Sequence, residues 1–438
     1  MRKGANKTIL KLIQMIVAVM GAGVIVLSIV LLVFHTIRSQ HLPQELPPAE
    51  LLEIFWNGPR QLNEKCDSTT PLIDVINLQL ETIFNRRADA ILTGDPDPLA
   101  SLYDTNSKYG RWALDHEQRR VKYIKAWAEK RGIKITRAMS CLRAQRIEIK
   151  DNTAWISLTQ NAYLDYVYAD DCSECVNRFG IGTRHLVELA YKQGNWLIRR
   201  DWYTDPLDED TLVPEVNPAC LPGGMAKWRS RNDKEWMSSQ GNDQSGRMTK
   251  APPSGSKGAY NREAAVDYAM KYCGVSLDQN HAARYNPKYK DYTGNGGDCT
   301  NFVSQVLADK EAGGLPTDYV WYYSHSISGR GGSRAWVQAE TFANYLQHSR
   351  RATQIARGLF HEVTAPTSDS PEGAIQRLRE GDLIGYEEKG RIEHFAVVVG
   401  RDSHGYVLVN SHTADRCRVP WDLGWDQKTV FRLFRINE

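Results

Sequence analysis

Hydrophobic and polar positions along this 438-residue chain fall into successive regimes, each with its own period. The first is an uninterrupted apolar run, "LIQMIVAVMGAGVIVLSIVLLVF", from Leu12 to Phe34, without a charged residue. As a helix it would reach roughly 34 Å, enough to cross a hydrocarbon core of about 30 Å. A cleavable signal peptide has a shorter apolar region, and "HTIRSQHLPQ" offers no small-residue cleavage pattern. Arg2, Lys3, Lys7 and Lys11 precede the run, while only Arg38 closely follows it. The positive-inside rule therefore predicts a cytoplasmic tail over residues 1–11, a single-pass cell-membrane anchor over 12–34 and an extracellular remainder. Prolines in "QHLPQELPPAE" predict a stalk over residues 35–64 rather than a continuing helix.

The period next becomes helical. Leu72, Val75, Ile76, Leu80 and Ile83 recur near 3.6-residue spacing, and "QRRVKYIKAWAEKRG" forms a second helix candidate. It then drops to two: Ile147 and Ile149 alternate, an Asp-Asn turn follows, and Ala154, Ile156 and Leu158 alternate again. "HLVELAYKQGNWLIRRDWY" repeats that design around "KQGN". Helices followed by antiparallel hairpins predict an α+β domain over residues 65–207. Its ending, "GNWLIRRDWYTDP", resembles the last strand of SnoaL-like or NTF2-like cone folds, which host pockets of many kinds.

Between residues 208 and 258 periodicity is lost, and "SSQGNDQSGRMTKAPPSGSKG" predicts a flexible linker. Residues 259–438 form the last domain, so the chain has room for two cores outside the membrane. A formal charge of +3 with both signs interspersed gives no basic stripe and argues against nucleic acid as a partner. An extracellular setting permits disulfides among the eight cysteines. Cys172 and Cys175 form a C-x-x-C without a second ligand pair, which suits a structural disulfide better than zinc. Cys273 and Cys417 share the last domain, and the sequence does not choose between pairing and free thiols.

Cys299 reads in two ways. With Phe302, Val303, Val306 and Leu307 it falls on the buried stripe of an amphipathic helix, where a cysteine is core packing. Yet "GNGGD" cannot easily be helical, so the helix begins near Asp298 and Cys299 enters its first turn. There the free N–H groups and the dipole favour thiolate and can hold an oxyanion. A thiolate needs a base. His394 opens the apolar run "HFAVVVG", and a hairpin near Ser403 and His404 returns as "YVLVNSHT". Asn410 and His412 both fall within reach of His394, and one residue of slip exchanges their faces.

"DCTNFVSQ", "SRAWVQAETFANYL", "GDLIGY" with "HFAVVVG", and "VNSHT" occur in that order. Together they resemble the bacterial family described as putative amidase domain, grouped with papain-like, NlpC-type and CHAP cysteine hydrolases. The resemblance covers residues 258–436 and implies a papain-like α+β domain, a helix bearing the cysteine packed on an antiparallel sheet. It implies Cys299 as nucleophile, His394 as base and Asn410 as the residue orienting the imidazole. In NlpC-type relatives a histidine takes the third role, which keeps His412 as runner-up. Papain-like enzymes place a glutamine before the cysteine, and "KDYTGNGGDC" has none. Backbone N–H groups or a side chain such as Tyr292 would then hold the oxyanion.

The expected activity is hydrolysis of an amide bond through a thioester. Peptidoglycan peptide is the expected substrate, with no metal and no cofactor. The rival expectation is a catalytically silent papain-like domain that binds cell wall or protein. Trp336, Trp421, Trp425, Tyr322 and Tyr323 are candidates for lining a groove, against the alternative of core packing.

Overall fold

Two-residue turns close two of the hairpins in the first domain. Lys150 pairs with Thr153 around Asp151-Asn152, and Lys192 pairs with Asn195 around Gln193-Gly194. Asp151, Gln193 and Gly194 take positive φ of 52°, 49° and 87°, the left-handed conformation that tight hairpin turns require. The computed structural model describes residues 70–169, 175–207, 260–275, 277, 285–326 and 329–437. The predicted anchor at 12–34, the stalk at 35–64, Cys172 and the linker at 208–258 lie outside the described residues. Among the described residues no helix is long and apolar enough to cross a membrane.

The first domain comprises α1 (Thr70–Thr93), α2 (Lys108–Lys130) and strands β1 (Ile133–Lys150), β2 (Thr153–Tyr168), β3 (Asn177–Lys192) and β4 (Asn195–Trp202). Its α+β organisation follows the predicted order of helices and hairpins. Ile76, Leu80 and Ile83 of α1 and Val121, Ile124 and Trp127 of α2 pack onto Ile156, Leu158 and Ile181 of the sheet. The apolar stripe of α1 departs from expectation at its start. Leu72 and Val75 are 37% and 50% exposed, because only the Ile76–Ile83 side meets the sheet.

The second domain supplies helices α3 (Arg262–Lys271), α4 (Cys299–Ala308) and α5 (Ala339–Ser349). Its strands are β5 (Ala352–Leu359), β6 (Leu383–Glu388), β7 (Arg391–Arg401), β8 (Val407–Ser411), β9 (Asp415–Pro420) and β10 (Val430–Ile436). One face of this sheet, through Phe395, Val397 and Val399, packs on Phe302, Val303 and Phe342 of the helices. The other face buries Tyr386, Ala396, Val398, Trp421 and Trp425.

The two domains share one sheet. These ten strands join in the order β1-β2-β3-β9-β8-β7-β6-β10-β5, with β4 alongside β3. The seam is antiparallel: Gly180, Ile181 and Gly182 pair with Cys417, Arg416 and Asp415. Gly180 is required there, since a Cβ would lie 2.7 Å from a methyl of Val275. Buried polar bonds reinforce the seam. Asp422 accepts from Arg131, from Trp127 Nε1 at 3.2 Å and from Tyr406 at 2.8 Å. Asp402 accepts from Tyr166 and Tyr168 at 2.8 and 2.6 Å. Val419 and Leu423 of the second domain belong to the core of the first.

Candidate active site around Cys299

The loop before α4 turns through Gly296 and Gly297 at φ of 97° and 107°, which halts any earlier helix. Cys299 is consequently the first residue of α4, as the glycine-rich stretch predicts. Residues 299–307 are all buried, so the stripe reading and the helix-start reading hold together for this cysteine.

Asp298 occupies the N-cap position but does not cap the helix with its side chain. One carboxylate oxygen accepts from the Tyr292 N–H and from Asn301 Nδ2, each at 2.8 Å. The other meets His412 Nδ1 at 2.6 Å. In its stead the Thr413 hydroxyl receives the backbone N–H groups of Asp298 and Cys299, at 2.7 and 3.1 Å. Thr413 holds this position with φ at 82°, a conformation that costs a β-branched residue energy.

His412 is buried between the rings of Tyr285 and Phe302, at 3.9 and 4.0 Å between centroids. Its Nε2 meets the Tyr272 carbonyl at 2.6 Å while Nδ1 meets Asp298, so both nitrogens face acceptors and the imidazolium suits the site. Burial pulls its pKa down, and the hydrogen bond and charge of Asp298 outweigh this and raise it. This histidine anchors α3 to the start of α4.

The Cys299 sulfur lies against the Phe395 backbone N–H and the Thr300 hydroxyl, the latter at 3.7 Å. Burial raises the thiol pKa, the N–H contacts oppose that effect, and the neighbouring Asp298 charge adds to it. Cys299 is 7% exposed.

His394 sits in β7 one residue before Phe395, but its ring turns to the sheet's other face. It meets Tyr386 and Trp425, each at 5.6 Å between centroids. Its Nε2 is buried without a hydrogen-bond partner. Burial, helped by the nearby Arg416 charge, lowers its pKa to about 3 and keeps the ring neutral. Asn410 pairs with Val397 across the hairpin, close to the predicted register. Its amide donates to the Ala269 carbonyl at 3.0 Å and accepts from the Arg418 N–H at 2.7 Å. The structure thus brings Cys299, Asp298, His412 and Thr413 together. It does not bring the His394 imidazole or Asn410 into that group.

Two residues escaped the sequence reading. Asp298 was legible only as an N-cap, and Thr413 only as the end of "VNSHT". Nothing in composition or period shows that a hydroxyl at residue 413 would take over the capping. Tyr292 places its hydroxyl under the Gly332 N–H at 2.9 Å. Trp336, Trp421 and Trp425 are core residues rather than groove lining, while Tyr322 is 42% exposed. Two surface clefts, of about 320 and 550 Å³, are lined by Asp104 and Lys192 and by Asp318 and Tyr345, and neither is lined by Cys299. No cluster of metal-ligating side chains occurs among the described residues.

Residues 259–434 match the family described as putative amidase domain. A curated relative, the uncharacterized protein YhbB of Bacillus subtilis (strain 168), is 30% identical over 164 residues. That match spans 36% of this chain and 42% of the relative, so less than half of the relative is covered. A putative scytalone dehydratase from Novosphingobium aromaticivorans is 14% identical with a TM-score of 0.23, covering 37% of this chain and 100% of its own. A putative NTF2-like transpeptidase from Campylobacter jejuni is 17% identical with a TM-score of 0.16, covering 27% and 94%. At scores this low the fold of residues 70–207 rests on its own strand order.

Proposed function

We propose that residues 259–434, a member of the putative amidase domain family, hydrolyse an amide bond with Cys299 as nucleophile and His394 as general base. The carrying observation is the contact between the Cys299 sulfur and the Phe395 N–H, which belongs to the peptide unit joining His394 to Phe395. A neutral imidazole with an unpartnered Nε2 lies on that same residue. For the reaction the His394 imidazole would have to leave Trp425 and reach the α4 face, which takes a shift of β7 itself rather than a side-chain rotation. It takes the thiol proton, and the sulfur attacks the amide carbonyl. The proton passes to the departing amine, leaving a thioester that water hydrolyses to acid and thiol. The Asp298 and Cys299 N–H groups, vacated by Thr413, would receive the oxyanion.

Anchoring through residues 12–34 would place this domain outside the cell, where cell-wall peptide is the substrate of matching chemistry. Asn410, bound to α3 and β9, serves in this reading as a brace for β8, and His412 as a brace for Asp298.

A second reading, a catalytically silent domain that binds wall or protein, draws on a different observation. The thiol is buried with a raised pKa, and Thr413 already fills the helix start. Alkylation of Cys299 against pH, in the wild type and in His394→Ala, separates the two. Labelling that persists well below the free-thiol value of about 8.5 and is lost in the variant supports the hydrolase. Superimposed curves rising only near or above that value support the silent domain.

A further inference from the structure

Cys273 and Cys417 lie far apart in sequence and side by side in the fold. Cys273 follows the C-terminus of α3 and Cys417 sits mid-strand in β9; they are 0% and 1% exposed and belong to one core cluster. Both are free thiols in this structure, each the strongest influence on the other's titration, and Cys273 Sγ contacts the Met270 and Val275 carbonyls at 3.4 and 3.0 Å. The seam register explains the closeness. Cys417 pairs with Gly180, and the bare Gly180 and Gly182 make room for Val275, two residues beyond Cys273.

We infer that Cys273 and Cys417 form a structural disulfide as the chain folds in an oxidising compartment, an inference that rests on the extracellular placement proposed above. One thiolate attacks a disulfide supplied by a thiol oxidoreductase or by oxidised glutathione, forming a mixed disulfide and releasing one thiol. The second thiolate attacks the bonded cysteine sulfur and expels the other thiol. Two protein thiols are oxidised, one external disulfide is reduced to two thiols, and the cross-link is complete before burial closes over it.

The bond has a defined place in the architecture. It ties the end of α3 to β9, the strand that carries the domain seam. Tyr272, next to Cys273, offers the carbonyl that His412 holds, and His412 holds Asp298 at the head of α4. The cross-link therefore braces the platform beneath Cys299, and it does so whether or not Cys299 is a nucleophile.

The test uses the full chain, produced in a host that forms disulfides and denatured in N-ethylmaleimide before digestion without reductant. The expected result is one cross-linked peptide pair containing Cys273 and Cys417, separated by reductant. Both cysteines carrying maleimide, or either one joined to a different cysteine, would overturn the proposal. Melting gives a second arm. Reductant should lower the wild-type Tm by roughly 5 °C or more beyond any fall it causes in the Cys273→Ser/Cys417→Ser protein. An equal fall in both proteins would sink the bracing role.

Discussion

Asp298 and His412 are joined by a 2.6 Å contact between a buried carboxylate oxygen and Nδ1, each side chain 1% exposed. The pair stands at the head of the helix that begins with Cys299, and its charge state governs how firmly that head is held.

Because the folded-state pKa of His412 is raised, the native protein binds its proton more tightly than the unfolded chain does. The stabilisation is fully present below about pH 6.5, the unfolded value, and is lost as pH rises through the folded value. Urea denaturation across pH 6 to 9 should show stability falling in the wild type and a flatter profile in His412→Gln. A wild-type profile no steeper than the variant's would remove the ion pair from the account.

His394 gives the opposite sign. Its folded pKa is lowered to about 3, so folding excludes a proton that the unfolded chain binds below about pH 6.5. Its contribution is complete above that pH and is lost as pH falls toward 3. His394→Phe should remove part of the acid sensitivity between pH 6.5 and 4, seen as a smaller loss of Tm than in the wild type. Matching losses in the two proteins would mean that the ring is not held neutral.

The Thr413 hydroxyl is the acceptor for two buried N–H groups. Thr413→Val keeps the shape and removes the acceptor, and should cost about 1–3 kcal/mol in urea denaturation. Thr413→Ser retains the acceptor and should stay near the wild type. If Thr413→Ser falls as far as Thr413→Val, the methyl rather than the hydroxyl is what the site needs.

At the seam, Arg131 and Asp422 are both fully buried and joined across the two domains. Removing one partner leaves a buried charge uncompensated, so Arg131→Met or Asp422→Leu should each cost roughly 3–5 kcal/mol. The double variant should recover part of that loss, and a double-mutant cycle in urea measures the coupling. Additive losses would mean that the two charges do not rely on each other.

Much of this fold could be read from period and turn chemistry. The Asp151-Asn152 and Gln193-Gly194 turns, the β7–β8 hairpin and the start of α4 at Cys299 all follow from local rules that leave marks in the sequence. Side-chain facing was harder to read. His394 and Phe395 are neighbours on a strand buried on both faces, where apolar residues run without alternation and no pattern says which one meets α4. The β3–β9 pairing was beyond reach for another reason. It joins segments far apart in the chain, and three residues of ladder carry no signature of their own. Thr413 was missed because a cap from 114 residues away is a tertiary event.

The ladder between Gly180–Gly182 and Asp415–Cys417 also bears on how such a chain can be cut and recombined. The predicted border over residues 208–258 is one that the shared sheet crosses. A transplanted copy of the last domain would carry β9 as a raw edge, with Asp422 and Asp402 stripped of the Arg131, Trp127, Tyr166 and Tyr168 that neutralise or cover them. Any host able to accept it must offer a strand with glycines opposite Cys417 and Asp415. Moving this domain intact would therefore favour taking the first domain with it.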